Sequence, residues 1–291
     1  MRKFWCLFFM VWPVIGIWSF LVAPSYNWWF PYNNESASPL GAQIDDLFYL
    51  ILAIVTVVFI GTQIALGYVL WKGAKETNEK AWFSHGSHNL EVIWTIAPAG
   101  ILLFISLFQL DVVADVRVKS RFPEEARIAP VAEVTARQFE WRIRYPSPKT
   151  SATFKTEADV KDWLENPRPD DLYTVNDLHV PTDHPIQIRL RTEDVQHAFF
   201  VPELRVKQDA VPGMVIPIWF EIRNTKDLKP IDPALKGVSY EWVCAELCGW
   251  GHYKMKARVV AQSRKEFQAY LKNLERLQNE DGFQDVKTQK Q

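Results

Sequence analysis

Net charge is almost absent from this chain, in which 33 Lys and Arg stand against 34 Asp and Glu, a formal balance of −1. That balance gives no sign of a nucleic acid or another highly charged partner. Cysteine is scarce, with only Cys6, Cys244 and Cys248. No Cys-x-x-Cys-His occurs, which excludes a covalently attached c-type haem. Cys6 falls too early for a bacterial lipoprotein site and reads as a plain thiol in an apolar segment. Lys and Arg are missing from residues 24–46, and no clean small-x-small cleavage site precedes Pro24.

What the chain has in quantity is apolar side chain, 48% hydrophobic and 14% aromatic, gathered in runs that allow membrane spans plus one domain of ordinary size. Arg2 and Lys3 precede an apolar run at 4–22, the pattern of a secretory signal or a signal anchor. Residues 1–23 are read as a retained third membrane helix kinked at Pro13, with removal as a signal peptide the open alternative. Residues 24–114 are expected to form a transmembrane helical hairpin, with spans at about 47–71 and 90–112. Lys72, Lys75 and Lys80 assign loop 72–89 to the cytoplasm and the Lys/Arg-free stretch, with Glu35, to the outside. The domain at 115–265 then lies outside too. Its short β-type runs at 129–135, 186–191, 215–222 and 256–261, between Pro, Asp and Asn clusters, predict a β-sandwich or barrel. Residues 266–291 are a C-terminal helix and a polar tail, with helical periodicity over 264–277.

The stretch Cys244-Ala-Glu-Leu-Cys-Gly-Trp-Gly-His-Tyr-Lys-Met255 gathers two thiols, an imidazole and a thioether. A loop ordered Cys…His…Met is how blue-copper proteins supply three ligands, a second His arriving from earlier in the chain. Here there are two thiols, and two thiolates on one tight loop can each bridge two soft ions. Each ion then needs one imidazole and one weaker ligand. His252 and Met255 supply part of that set, and the Glu246 backbone carbonyl lies between the sulfurs. Cys-x3-Cys alone fits a disulfide or half of a zinc site equally well. Zinc has little use for a thioether, and a disulfide has no use for the His or the Met, so a dinuclear copper site is the reading adopted. For the missing imidazole, Asp194-Val-Gln-His-Ala-Phe-Phe-Val-Pro-Glu-Leu204 places His197 ahead of an apolar run, followed by Lys207-Gln-Asp-Ala-Val-Pro-Gly213.

In this order the blocks resemble cytochrome c oxidase subunit II. That family shows Asp-Val-x-His-x-(aromatic)-x-Val-Pro-x-Leu, then Lys-x-Asp-Ala-x-Pro-Gly, then Cys-x-Glu-x-Cys-Gly-x-x-His-x-x-Met. The resemblance covers about 40–265 and takes in His88-Asn-Leu-Glu-Val-Ile-Trp-Thr-Ile-Ala-Pro98, Gln138-Phe-Glu-Trp141 and Asn176-Asp-Leu-His-Val-Pro181. It implies a membrane-anchored, cupredoxin-like Greek-key β-barrel that carries the dinuclear copper centre CuA. By position the ligands are His197, Cys244, Glu246 through its main-chain carbonyl, Cys248, His252 and Met255. The Glu246 side chain matches the residue that helps bind magnesium or manganese at the subunit I interface, where oxygen is the suitable donor. Glu91 matches the glutamate at the cytoplasmic mouth of a proton path into subunit I. Taken by itself, Glu91 reads also as a first-turn carboxylate favoured by the helix dipole. The implied function is an electron relay from cytochrome c through CuA to haem in subunit I, where oxygen is reduced to water. No catalytic residue is expected in this chain. The implied partners are subunits I and III, cytochrome c and the lipid membrane. The implied location is the bacterial plasma membrane, multi-pass, with the CuA domain on the periplasmic side.

Departures from the family's pattern matter as well. Phe139 stands where the family has the Trp at which electrons arrive, Trp141 keeps the second aromatic position, and by resemblance the two are the expected electron entry. Arg142, Arg144 and Lys149 are basic where the family tends to be acidic. An insertion at about 150–175 carries Glu157, Asp159, Asp162, Glu165, Asp170 and Asp171, either a docking surface for the donor or a solvated loop. Trp242 replaces a usual Gly, and His179 reads as structural. A quinol oxidase subunit II lacks the copper ligands and is disfavoured. A CuA-containing nitric oxide reductase subunit shares the ligands, so only the partner subunit tells the two apart. A periplasmic copper carrier needs neither the ordered ligand set nor Glu91.

Overall fold

In the computed structural model the described residues are 2–26, 28, 36–73, 83, 85–223 and 238–280. Glu35, Lys75, Lys80 and the polar tail beyond 280 lie outside them. The chain divides into two units, Met1–Asn34 with Ile44–Asp111, and Glu35–Gln43 with Val112–Gln291.

The membrane-type helices come first. Helix α1 (Arg2–Val22) holds Pro13 within it, α2 runs Pro39–Gly73 and α3 runs His88–Phe108. Both α2 and α3 are long and apolar enough to cross a membrane, whereas the apolar part of α1 is shorter, Leu7–Val22. Helix α2 begins earlier than the expected 47. Pro39 suits a first helical position because its missing N–H has no intrahelical partner there, and the helix continues through Asp45 and Asp46. Helix α3 ends at Phe108 rather than 112. After Gln109 the chain resumes as α4 (Leu110–Arg117), where Asp111, Asp115 and Arg117 end the apolar run.

The second unit is a sandwich of two five-stranded sheets. Strands β1 (Ala132–Arg137), β2 (Glu140–Tyr145), β3 (Leu172–Val175), β5 (Ile186–Thr192) and β8 (Ile216–Phe220) form one sheet, in the order β3-β2-β1-β5-β8. Strands β4 (Asp177–Pro181), β6 (His197–Val201), β7 (Val206–Ala210), β9 (Val238–Cys244) and β10 (Lys256–Gln262) form the other, in the order β4-β10-β9-β6-β7. Pairings are antiparallel except β1 with β5 and β10 with β4. The strand alternation is clear in β2, where Trp141, Ile143 and Tyr145 are fully buried and join one core with Ile188, Phe199, Phe220, Tyr240, Trp242 and Val259. The C-terminal helix α7 (Arg264–Glu280) packs Phe267, Tyr270, Leu271 and Leu274 against that core.

The insertion is not an unstructured loop, although Glu157, Asp162, Glu165 and Asp170 remain exposed on it. It folds into α5 (Pro148–Ser151) and α6 (Glu157–Glu165), with Phe154, Val160, Trp163 and Leu164 in a second small core. Thr156 and Asp159 close a capping box on α6. This lobe covers the outer face of the first sheet. Under it Arg144 is ion-paired with Glu133 at 2.6 Å and with Asp171 at 2.9 Å, and its guanidinium lies 4.2 Å from the Trp163 ring centre. Asp171 also accepts from Trp163 Nε1 at 2.9 Å. The basic Arg144 and acidic Asp171 are therefore structural, buried with exposures of 5% and 0%.

Candidate metal centre

Strands β9 and β10 form a hairpin whose connection is the thiol-bearing loop 245–255. The Cys244 amide donates to the Met255 carbonyl at 3.1 Å and closes its neck. Strand β6 lies beside β9 with Phe199 opposite Cys244, a register that sets His197, two residues earlier, next to the Cys244 sulfur. His197 Nδ1 is 3.8 Å from Cys244 Sγ, and the two sulfurs are 3.9 Å apart. On the other side, Cys248 Sγ is 3.6 Å from His252 Nδ1 and 3.9 Å from Met255 Sδ. The Glu246 carbonyl oxygen is 3.2 Å from Cys244 Sγ. All six positions singled out in the sequence thus meet at one end of the sandwich. His197, Cys244, Cys248 and Met255 are buried, and His252 is half-buried.

Cys244 and Cys248 stand as free thiols, with no bond between the two sulfurs. A metal–thiolate bond is about 2.3 Å. A sulfur gap of 3.9 Å is shorter than two such bonds, so one ion could bond to both sulfurs. One imidazole faces each sulfur, and a thioether and a carbonyl complete the two sets. This chemistry fits a pair of soft ions better than one zinc. Burial pushes the Cys244 thiol up, but hydrogen bonding from His197, the Ala198 and Glu246 amides and His252 brings it down to about 6. Burial and the neighbouring Cys244 push Cys248 up to about 12. The pair therefore gives up one proton readily and holds the second, and a metal bound to both thiolates must displace it.

Two supporting residues were not assigned a role from the sequence. Asp194 Oδ1 accepts from His197 Nε2 at 2.8 Å, which leaves Nδ1 as the donor atom towards the sulfur. Burial lowers the basicity of His197, but hydrogen bonding with Cys244 and Asp194 outweighs it and raises its pKa. Gln138 donates its Nε2 to the Cys248 carbonyl at 2.6 Å, while its backbone amide donates to Asp194 Oδ2 at 2.8 Å. The signals were present as an Asp three residues before His197 and a Gln beside Phe139. Each gains meaning only once the β1–β2 turn reaches the loop.

Phe139 is half-buried, with its ring against the loop. A Cβ built at Gly251 would lie 2.5 Å from that ring, and Gly249 has φ +128. Trp141 is not a surface residue. It is fully buried, 6.1 Å from His197 and 4.5 Å from Trp242 between ring centres, so it supports the site from below and has no face for a donor. His179 lies away from the sulfurs, stacked on Tyr270 at 3.6 Å with Nδ1 on Gln262 at 3.0 Å, a structural role as expected. Glu91 belongs to the first unit, in the first turn of α3, and is not part of this cluster.

A β-sandwich with two imidazoles, two thiols and a thioether at one end, preceded by apolar spans, defines a membrane-anchored cupredoxin-like metalloprotein. Comparison with known proteins narrows the class. The family model for cytochrome c oxidase subunit II, transmembrane domain, matches residues 26–112, and that for the periplasmic domain of the same subunit matches residues 131–263. The chain belongs to the cytochrome c oxidase subunit II family. It is 28% identical over 252 residues to the alternative cytochrome c oxidase subunit 2 of Bradyrhizobium diazoefficiens, covering 84% of this chain and 83% of that one. It is 29% identical over 255 residues to cytochrome c oxidase subunit 2 of Cereibacter sphaeroides, covering 82% and 78%. Among solved structures, the periplasmic domain of subunit II from Bradyrhizobium japonicum is similar at 20% identity and a TM-score of 0.38, covering 52% of this chain and 97% of that one. The protein is thus an oxidase subunit, part of a haem-copper oxidoreductase, with a membrane portion and an outer domain.

Proposed function

We propose that this subunit is the electron relay of its oxidase, with His197, Cys244, Cys248, His252, Met255 and the Glu246 carbonyl holding the dinuclear copper centre CuA. The observation that carries the reading is the pair of unbonded sulfurs 3.9 Å apart, with His197 Nδ1 facing one and His252 Nδ1 facing the other. Copper in that position supplies one-electron redox chemistry without a change of ligands. The chain's own residues do the rest. Asp194 and Gln138 fix the imidazole and the loop, so that the ligands move little between redox states. Burial of His197 and Met255 keeps water from the centre.

Electrons come from cytochrome c and leave for haem in subunit I. The Glu246 carboxylate, half-buried beside the loop, is the oxygen donor for a magnesium or manganese ion at the subunit I interface. Glu91, at the start of a membrane helix, opens a proton path into subunit I. The setting is the bacterial plasma membrane, crossed more than once, with the copper domain on the periplasmic side and subunits I and III as neighbours. Low-temperature EPR of the copper-loaded chain tests the core of this reading. An unpaired electron shared over two copper nuclei gives a seven-line hyperfine pattern. A four-line single-copper pattern, or no copper uptake, would overturn it.

A further inference from the structure

The loop that carries the metal ligands leaves its largest side chains in water. Trp250, between Cys248 and His252, is 79% exposed, and Tyr253 is 68% exposed. Trp250 stands edge-on to Phe139, ring centres 5.2 Å apart at 69°. Lys254 Nζ lies 6.0 Å from the Trp250 ring and 5.4 Å from the Tyr253 ring, so the three share one surface. Clustered aromatics left exposed on a tight loop add nothing to folding and mark an interface.

Charge decides what kind of partner fits. At this end of the domain Asp194 is taken by His197 and Gln138, Glu140 by Arg142 at 2.8 Å and Asp209 by Lys207 at 3.1 Å. With Glu193 and Glu246 counted in, five carboxylates stand against Arg137, Arg142, Lys207 and Lys254, so the surface carries little net charge. The carboxylates of the lobe have partners of their own, in exposed ion pairs, a helix cap and the buried Arg144 network. A protein ringed with lysines finds no strongly acidic counterpart at this end of the domain.

We propose that Trp250, backed by Phe139, is the contact through which the soluble electron-donor protein docks, by burial of apolar surface rather than by ion pairing. This rests on the relay reading above. On contact the donor is oxidised by one electron and the metal site reduced by one, with no bond made or broken. Trp250 supplies the close-packed bridge that the half-buried Phe139 reaches only in part.

The test uses the intact oxidase with reduced cytochrome c as donor, comparing kcat/KM from low to high salt for wild type, Trp250→Ala and Trp250→Phe, with copper EPR on each. Trp250→Ala is expected to lower kcat/KM about tenfold or more with an unchanged copper spectrum, as loss of a central aromatic contact does. Trp250→Phe should recover a large part, and the wild-type rate should change by less than about twofold with salt. Wild-type kcat/KM retained by Trp250→Ala would overturn the proposal while leaving the relay intact. So would a wild-type rate that collapses with salt, or a Trp250→Ala chain that separates from the partner subunit, which would place Trp250 against that subunit. Absence of a dinuclear copper signal in the wild type would remove the relay and this proposal together.

Discussion

His197 and Asp194 form a 2.8 Å contact between Nε2 and Oδ1 that sets which imidazole nitrogen faces the sulfurs. The contact is local in sequence, three residues apart, but it works across the site, because Asp194 also receives the Gln138 amide at 2.8 Å. One carboxylate therefore couples a ligand's orientation to the turn that covers the loop. Replacing it by Asn keeps the shape and removes the charge. Asp194→Asn is expected to weaken copper binding about 10- to 100-fold, the usual cost of losing a partner of a metal-bound imidazole. Competition titration against a chelator of known affinity measures it, and an unchanged affinity would show that packing alone holds His197.

Gly251 and Phe139 make a second testable pair. A methyl at 251 would fall 2.5 to 2.8 Å from three atoms of the Phe139 ring, too close for any side chain to sit without displacing it. Gly251→Ala should therefore destabilise the loop by about 1–3 kcal/mol, as overpacking does. Combining it with Phe139→Ala opens the space and should return part of that loss. Thermal unfolding of the four variants forms the cycle. Additive losses in the double variant would mean that the ring is not the obstacle.

The lobe at 148–175 separates buried from exposed carboxylates. Asp171→Ala leaves Arg144 buried with one partner fewer and Trp163 Nε1 unpaired, and should cost about 3–5 kcal/mol. Glu165 is 63% exposed and pairs with Lys161 at 3.8 Å, so Glu165→Gln should be near neutral in stability. It should also leave KM for cytochrome c unchanged at low salt. A raised KM in Glu165→Gln would restore the lobe as a docking surface.

These residues also show how far the chain could be read before its fold was known. The candidate ligands stood out because Cys, His and Met at close fixed spacing carry few other meanings, and the apolar runs of α2 and α3 announce themselves by length. The strands at 186–191 and 256–261 were visible from their β-branched content and lie within a residue of β5 and β10. Helix ends were less legible, because Asp45 and Asp46 look like a boundary in sequence yet sit inside α2. The packing of the lobe was not legible for a physical reason. A run of carboxylates reads as solvated until its counter-charges are placed, and Arg144 and Lys119 come from outside the run. Trp141 shares the family's aromatic block with Phe139, but strand alternation turns it into the core.

Glu203 offers the last prediction, one of pH. It is 6% exposed, its Oε2 has no hydrogen-bond partner among the described residues, and burial pushes its carboxyl above the usual value. Hydrogen bonds from its own and the Glu241 backbone amides act against that shift, the Glu241 charge adds to it and Arg205 opposes it. In the unfolded chain the group titrates near 4.5, and in the folded protein it titrates higher. Between those two values the folded state holds the extra proton, so stability falls as pH rises through the window, and the full cost is present above the folded value. Glu203→Gln removes the charge that burial opposes. The variant should therefore melt higher than wild type at neutral pH, by about 2–4 °C for each kcal/mol relieved. Below 4.5 both side chains are neutral and the difference should vanish. Thermal unfolding of the full chain in detergent at the two pH values decides it. A difference that persists unchanged in acid would mean that the effect comes from shape or hydrogen bonding and not from the buried charge.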